Sequence, residues 1–202
     1  MDMPRDMQAE DLAAASDEVV LARYAAGDPV AARVLTLRLV PRALGYAGRL
    51  LGDAAEAEDV TQEAMLRLWR AAPGWRAGEA QVSTWLYRVV TNLCTDRLRA
   101  RRRRPAAALD EAPEVPDGAR GAEAGMIEAD RLGALQAALA ALPERQRQAV
   151  VLRHIEGLGN PEIAAVMDIG VEAVESLTAR AKRALTAILS GRREELGYDG
   201  EE

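Results

Sequence analysis

From Pro105 to Gly125 the chain carries three prolines (Pro105, Pro113 and Pro116) among alanine, glycine and acids, with almost nothing large and apolar. A stretch of this kind buries too little apolar surface to offset the entropy of ordering it, so it cannot belong to a core. Any fold must be assembled from the segments on either side. Both flanks are rich in Ala, Leu, Glu and Arg and show apolar residues at helical spacing. The expectation is an all-α protein with two small helical domains, residues 15–104 and 127–190. A flexible acidic linker (105–126) joins them and an acidic tail (191–202) follows. A length of 202 residues, 49% of them apolar, suits two small cores.

In the first flank, Asp17 to Leu51 predicts two helices broken at Ala26-Gly27-Asp28-Pro29. Leu35, Leu39, Ala43 and Tyr46 recur on one face of the second. After Gly52-Asp53, a helix over Ala57–Arg70 has the apolar stripe Val60, Ala64 and Leu68, widened by Met65 and Trp69. Pro73-Gly74 ends it. Ser83 or Thr84 is then expected to cap a long helix with Trp85, Leu86, Val89, Val90, Leu93 and Leu98 inward. In the second flank, Leu132, Leu135, Leu139 and Leu142 are expected to share a face, and Pro143 restarts a helix with Val150, Val151 and Ile155.

Charge is segregated along the chain. The net charge is −6, yet residues 64–104 hold ten basic groups against two acidic ones, and residues 1–63 hold six against twelve. Screening over about 8–10 Å keeps a distant acidic segment from cancelling a local basic face. The acidic balance therefore permits nucleic-acid binding but predicts that the free protein binds DNA weakly. One cysteine, Cys94, rules out an internal disulfide, and with the single histidine, His154, leaves no Cys/His zinc set. Cys94 falls on the inner side of its helix, which favours packing over redox chemistry. The polar, acidic start and the lack of a long apolar run predict a cytoplasmic protein with no membrane insertion. Enzymatic signatures are missing too. The only lysine, Lys182, lacks the glycines of a phosphate-binding loop, and Gly157-Leu-Gly159 before a proline is not a dinucleotide turn. No catalytic residue, cofactor or metal is expected.

After Gly157-Leu158-Gly159, Asn160 suits an N-cap, Pro161 the first helical position and Glu162 the helix dipole. Counting from Asn160, apolar residues fall at places 4, 8, 10, 15 and 18 (Ile163, Met167, Ile169, Val174 and Leu177), with the small Ala164 at place 5. That is the pattern of a helix-turn-helix, with Asp168 where the turn usually has glycine. A plain helical hairpin shares the pattern. On the second helix, Glu172, Ala173, Glu175, Ser176, Thr178, Ala179, Lys182 and Arg183 point outward. Lys182 and Arg183 suit phosphates, Ser176 and Thr178 suit base edges, and at most one of the two glutamates suits cytosine. In the first domain, Asp59, Gln62, Glu63 and Arg67 lie opposite the apolar stripe. Trp69, Trp75, Trp85 and Tyr87 cluster beside Arg88, Asn92, Arg97, Arg99 and the run Arg101–Arg104. Arginines beside aromatics suit capture of a single strand.

The stretches Asp59-Val-Thr-Gln-Glu63, Ser83-Thr-Trp-Leu-Tyr-Arg88 leading to Asn92, and the arginine-rich end resemble region 2 of bacterial sigma factors. Leu142-Pro-Glu-Arg145, Gly157 to Ala165 and Val174 to Leu185 resemble region 4. With no room for a region 3 domain between them, the layout is similar to the extracytoplasmic-function (ECF, group IV) sigma factors of the sigma-70 family. The resemblance favours DNA binding over the plain hairpin. It implies that Asp59, Gln62 and Glu63 dock on the β′ clamp helices of RNA polymerase core. It implies that Asn92, with the loop from Trp75 and Arg76 to Thr84 and with Arg88, Arg97 and Arg99, captures a flipped base of the minus-10 element. Residues 172–183 would hold the duplex minus-35 element, with region 4 on the β flap. The tether would lie in the RNA-exit path, where the acids from Asp110 to Glu128 match the charge of RNA. Control by an anti-sigma factor is implied by the resemblance alone. The alternative reading is a stand-alone helix-turn-helix regulator of duplex operators, which needs no Asp59-Gln62-Glu63 surface.

Overall fold

The computed structural model describes residues 11–76, 78, 81–103 and 122–190, and every regular element among them is helical. Helix α1 (Asp17–Ala25) starts where the Ser16 hydroxyl accepts the Val19 amide at 3.5 Å. Helix α2 (Pro29–Leu51) begins with Asp28 accepting from the Val30 amide at 2.9 Å and with Pro29 at the first turn. It ends at Gly52, whose φ of 67° is the left-handed conformation that glycine adopts without steric cost. Helix α3 (Ala54–Ala71) is capped by Asp53, which accepts from the Glu56 amide at 2.9 Å. Helices α4 (Val82–Arg103), α5 (Ala122–Ala140), α6 (Glu144–His154), α7 (Asn160–Met167) and α8 (Val171–Ser190) complete the order.

Several local expectations give way to tertiary contacts. Ser83 and Thr84 do not cap α4, because its first residue is Val82 and the Val82 amide donates to Glu18 Oε1 of α1 at 3.3 Å. A carboxylate from a distant helix replaces the neighbouring hydroxyl. Asn160 is likewise the first helical residue rather than the N-cap; Gly159 precedes it, and its amide donates to Glu162 Oε2 at 2.7 Å. Helix α5 begins at Ala122, five residues before the expected boundary. Leu132 is 58% exposed, and the buried face of α5 is formed by Ala134, Ala138 and Leu139, with Leu142 following the helix. Ile155 is also exposed, past the end of α6. The expected linker up to residue 121 and the tail from 191 lie outside the described residues.

The first region is built around α2. Leu35, Leu39, Ala43 and Tyr46 are buried against Val60, Ala64 and Leu68 of α3 and Leu86, Val90 and Cys94 of α4. Burying polar atoms in this core requires partners. The Tyr46 hydroxyl lies 2.9 Å from Thr91 Oγ1, and Thr91 Oγ1 also donates to the Tyr87 carbonyl at 2.7 Å. In the second region Leu139, Val151, Leu152, Ile163, Val174 and Ala181 close a smaller core. The two cores are continuous: α7 packs on α4, and α5 and α6 pack on α2. Arg147 of α6 crosses this junction, donating to the Leu50 carbonyl at 2.6 Å and the Ala140 carbonyl at 2.8 Å. Its guanidinium thereby serves the last carbonyls of two helices that have no intrahelical donor. Desolvation lowers its pKa from the ordinary arginine value.

Leu39→Ala should cost about 2–5 kcal/mol through the cavity it leaves, and Tyr46→Phe about 1 kcal/mol through one lost hydrogen bond. Urea unfolding of the two variants checks that order. Burial also pushes the Cys94 thiol up to about 12, with Arg97 opposing and Glu56 and Glu144 reinforcing the shift. Reaction with a thiol reagent at neutral pH should therefore be very slow in the native protein and rapid in denaturant. Equal rates in the two states would contradict a packed thiol.

Candidate nucleic-acid interface

Helices α7 and α8 form the compact pair that the apolar spacing predicted. Ile163, Met167 and Val174 are buried, with Ile169 and Leu177 partly so, and Ala164 sits where the helices meet. Asp168 takes the turn position with a φ of 53°, left-handed backbone that aspartate adopts more readily than most side chains. Glu172, Glu175, Ser176, Ala179, Lys182 and Arg183 are exposed along one side of α8. Thr178 is half-buried, and its hydroxyl donates to the Val174 carbonyl at 2.9 Å. Asn160 Nδ2 donates to Glu175 Oε1 at 3.3 Å, tying one of the two acids to the start of α7. The face leaves Ser176, Lys182 and Arg183 exposed, groups of the kind that serve phosphates and base edges.

On α3, Asp59 and Gln62 are exposed and Glu63 is half-buried, and all three share a side away from the stripe buried at Val60, Ala64 and Leu68. Arg67 Nε donates to Glu63 Oε1 at 2.8 Å, and this bond holds the carboxyl below its usual pKa. Gln62 edges an apolar groove of about 340 Å³ between α2 and α3, floored by Val40, Leu44, Met65, Leu66 and Trp69. Sequence patterning did not single out this groove. Its signal was present in Leu66, which falls off the inward stripe and is 42% exposed.

On α4, Arg88, Asn92 and Arg99 are exposed along one side, with Arg88 one turn before Asn92 and Arg99 two turns after it, and Arg97 and Thr84 are half-buried. Arg97 Nη1 reaches Asp59 Oδ2 at 3.5 Å, so the helices carrying the two expected surfaces touch there. Arg101 is not a free phosphate ligand in this state. It donates to the Leu51 carbonyl at 3.1 Å, to Asp53 Oδ2 at 3.1 Å and to Glu56 Oε1 at 3.1 Å, pinning α4 to the α2–α3 turn. The aromatic cluster belongs mainly to the core rather than forming a stacking platform. Tyr87 is 3% exposed and meets Tyr46 edge-on at 5.3 Å, and Trp69 lies 4.4 Å from Tyr24. Trp75 folds back on Trp85 at 5.8 Å, and its buried indole Nε1 has no acceptor among the described residues. Arg76 is exposed at the start of the loop.

The second region faces this basic helix. Arg88, Asn92 and Arg99 line a polar cleft of about 330 Å³ whose opposite wall is Glu144, Arg145, Gln148, Met167 and Asp168. Val166, buried at 2% exposure, and Gln148, at 4%, were not expected at a site. Val166 was legible only as an apolar residue off the helix-turn-helix pattern.

The family model for Sigma-70 region 2 matches residues 35–104, and that for Sigma-70 region 4 matches residues 132–185. ECF RNA polymerase sigma factor SigM of Mycobacterium tuberculosis is 36% identical over 175 residues, covering 86% of this chain and 85% of the relative. RNA polymerase sigma-H factor of Pseudomonas aeruginosa is 33% identical over 181 residues, covering 86% and 93%. Among solved structures, CnrH in complex with the cytosolic domain of CnrY superposes with a TM-score of 0.65 at 27% identity, covering 87% of this chain and 97% of that one. Two region models in order, and full-length relatives above 30% identity, place the chain: it belongs to the ECF group of the sigma-70 family of RNA polymerase sigma factors.

Proposed function

We propose that this sigma factor divides its work between its two regions. Residues 15–104 dock on core polymerase and open the minus-10 element, and residues 127–190 hold the minus-35 duplex. The observation that carries this reading is the separation of surfaces around α3 and α4. The acid–amide side of α3, with Asp59, Gln62 and Glu63, lies beside an apolar groove, while Arg88, Asn92 and Arg99 follow one side of α4. An apolar groove rimmed by charged and amide groups suits a helical protein partner, here the β′ clamp helices. A row of arginines around one amide suits a strand whose phosphates are held while a single base is received.

Unstacking a base costs a few kcal/mol, which contacts made only in the opened state must recover. Asn92 presents both a donor and an acceptor to a base edge, and Arg88 and Arg99 flank it by one and two helical turns. Thr84, Trp75 and Arg76 lie at the loop entering α4, and Arg97 at its Asp59 junction. On α8, Lys182 and Arg183 hold duplex phosphates, with Ser176, Thr178 and Ala179 toward the bases and Glu172 or Glu175 limiting the tolerated sequence. The protein is then non-enzymatic by itself and uses no cofactor. Region 4 rests on the β flap, and the acidic linker follows the RNA-exit path. CnrH is bound to the cytosolic domain of CnrY in its own structure, and that likeness supports a protein partner for this chain as well, here an anti-sigma factor; its place of action is the cytoplasm, where core polymerase resides.

Asp59→Arg with Glu63→Arg should abolish co-purification with core polymerase while circular dichroism stays unchanged; retained co-elution overturns the docking surface. Asn92→Ala should keep polymerase binding but lose permanganate-reactive thymines in the opened promoter. In the polymerase complex, Lys182→Ala should weaken minus-35 DNA binding across sequences and lower the salt slope by about one.

A further inference from the structure

The polar cleft between α4 and α6 holds more positive charge than its neighbours neutralise. Three guanidiniums line it, Arg88 and Arg99 from α4 and Arg145 from α6, together with the carboxylates of Glu144 and Asp168. Each carboxylate is already matched. Asp168 lies 3.7 Å from Arg88, and Glu144 lies 3.4 Å from Arg102, which does not line the cleft. Arg99 and Arg145 are left without a carboxylate among the described residues, and Arg145 Nη2 donates to the Met167 carbonyl at 3.3 Å. Both arginines are exposed, so an anion from solvent can reach them. Like charges on facing walls with no counter-charge raise the potential of a cleft and favour an anion in it.

The remaining lining suits a phosphate better than an apolar ligand. Asn92 is exposed and offers two amide donors. The start of α6 borders the cleft at Glu144 and Arg145 and carries no side-chain cap, so its backbone amides are donors of the same kind. Gln148, 4% exposed, donates to Thr95 Oγ1 at 3.0 Å and so sets the spacing of the two walls. A volume of about 330 Å³ is at the lower end of small-molecule sites, too small for a duplex and sufficient for a few linked phosphates. We propose that this cleft binds a small oligophosphate, free or carried by a nucleoside, whose oxygens bridge Arg99 and Arg145. The planar fork of a guanidinium meets phosphate oxygens in pairs. Arg88 joins when the anion displaces Asp168, since an exposed pair of this kind is easily exchanged. On the reading that gives α4 to the minus-10 strand, Asn92 and Arg99 cannot serve a strand and this ligand together. The binding itself needs neither polymerase nor promoter, so its failure would leave that reading untouched.

Calorimetric titration of the full chain with inorganic tripolyphosphate, and separately with adenosine triphosphate, tests the site; a chelator is present and no metal is added. A single molecule should bind per chain. Arg99→Ala and Arg145→Ala should each weaken binding at least about tenfold, as expected for a lost charge-assisted contact. Circular dichroism should stay unchanged, because both side chains are exposed. Arg33→Ala removes the same charge from an exposed site on α2 and should stay within about twofold. Asp168→Asn keeps a residue that tolerates the left-handed turn, withdraws the competing carboxylate, and should tighten binding at least about threefold. Tighter binding of adenosine triphosphate than of tripolyphosphate supports a nucleotide as the natural ligand, and equal or weaker binding supports a free oligophosphate. The proposal is overturned if neither anion binds saturably, or if Arg33→Ala loses as much affinity as the two cleft variants. It is also overturned if a single-stranded oligonucleotide without terminal phosphates binds tighter than both anions and depends equally on Arg145, because the cleft would then be part of a strand's path.

Discussion

Helix α4 has to satisfy partners on opposite sides, and the rest of the structure follows from how it does so. Its inner side, Leu86, Val90 and Cys94, completes the core built on α2 and α3. Its outer side carries arginines and an amide that have no apolar reason to be buried. Tyr87 joins the two, because its ring packs edge-on against Tyr46 while its hydroxyl donates to Glu156 of the second region. Burial and the neighbouring Glu156 carboxylate raise the tyrosine's pKa, so it remains a neutral donor across the physiological range. A single side chain therefore belongs both to the core of one region and to its contact with the other.

That arrangement gives a physical meaning to the charge segregation. The basic run from 64 to 104 would make the first region a strong polyanion ligand if it stood open. In the folded chain much of this charge is engaged internally: Arg97 with Asp59, Arg101 with Asp53 and Glu56, Arg102 with Glu144 and Arg88 with Asp168. Exposed pairs of this kind are individually worth little and are easily exchanged for phosphates. Held this way, the arginines are not committed permanently to the protein's own carboxylates.

Helical periodicity made the bundle legible because each helix buries one stripe: Leu35, Leu39, Ala43 and Tyr46, or Val60, Ala64 and Leu68, needed no tertiary knowledge to identify. The helix-turn-helix was legible for the same reason, down to the unusual Asp168 in its turn. Capping was less so. Glu18 replaced Ser83 and Thr84 at the start of α4 because a charged acceptor from another helix reached that amide, and local sequence contains no record of it. The packing of one region on the other was least legible. Nothing in the spacing around Gln148 and Glu156 names their partners, Thr95 for the first and Tyr87 and Arg49 for the second, because these lie more than fifty residues away in sequence. Leu132 shows the converse case, a residue that fits a helical stripe but stays 58% exposed.

As a sigma factor, this chain redirects a polymerase rather than acting on DNA alone. The most direct measurement is the mapping of transcript 5′ ends made by core polymerase on genomic DNA, with and without the purified chain. A small set of new start sites should appear with the chain present, each preceded by a shared pair of upstream elements. Start sites unchanged by the added chain would contradict it.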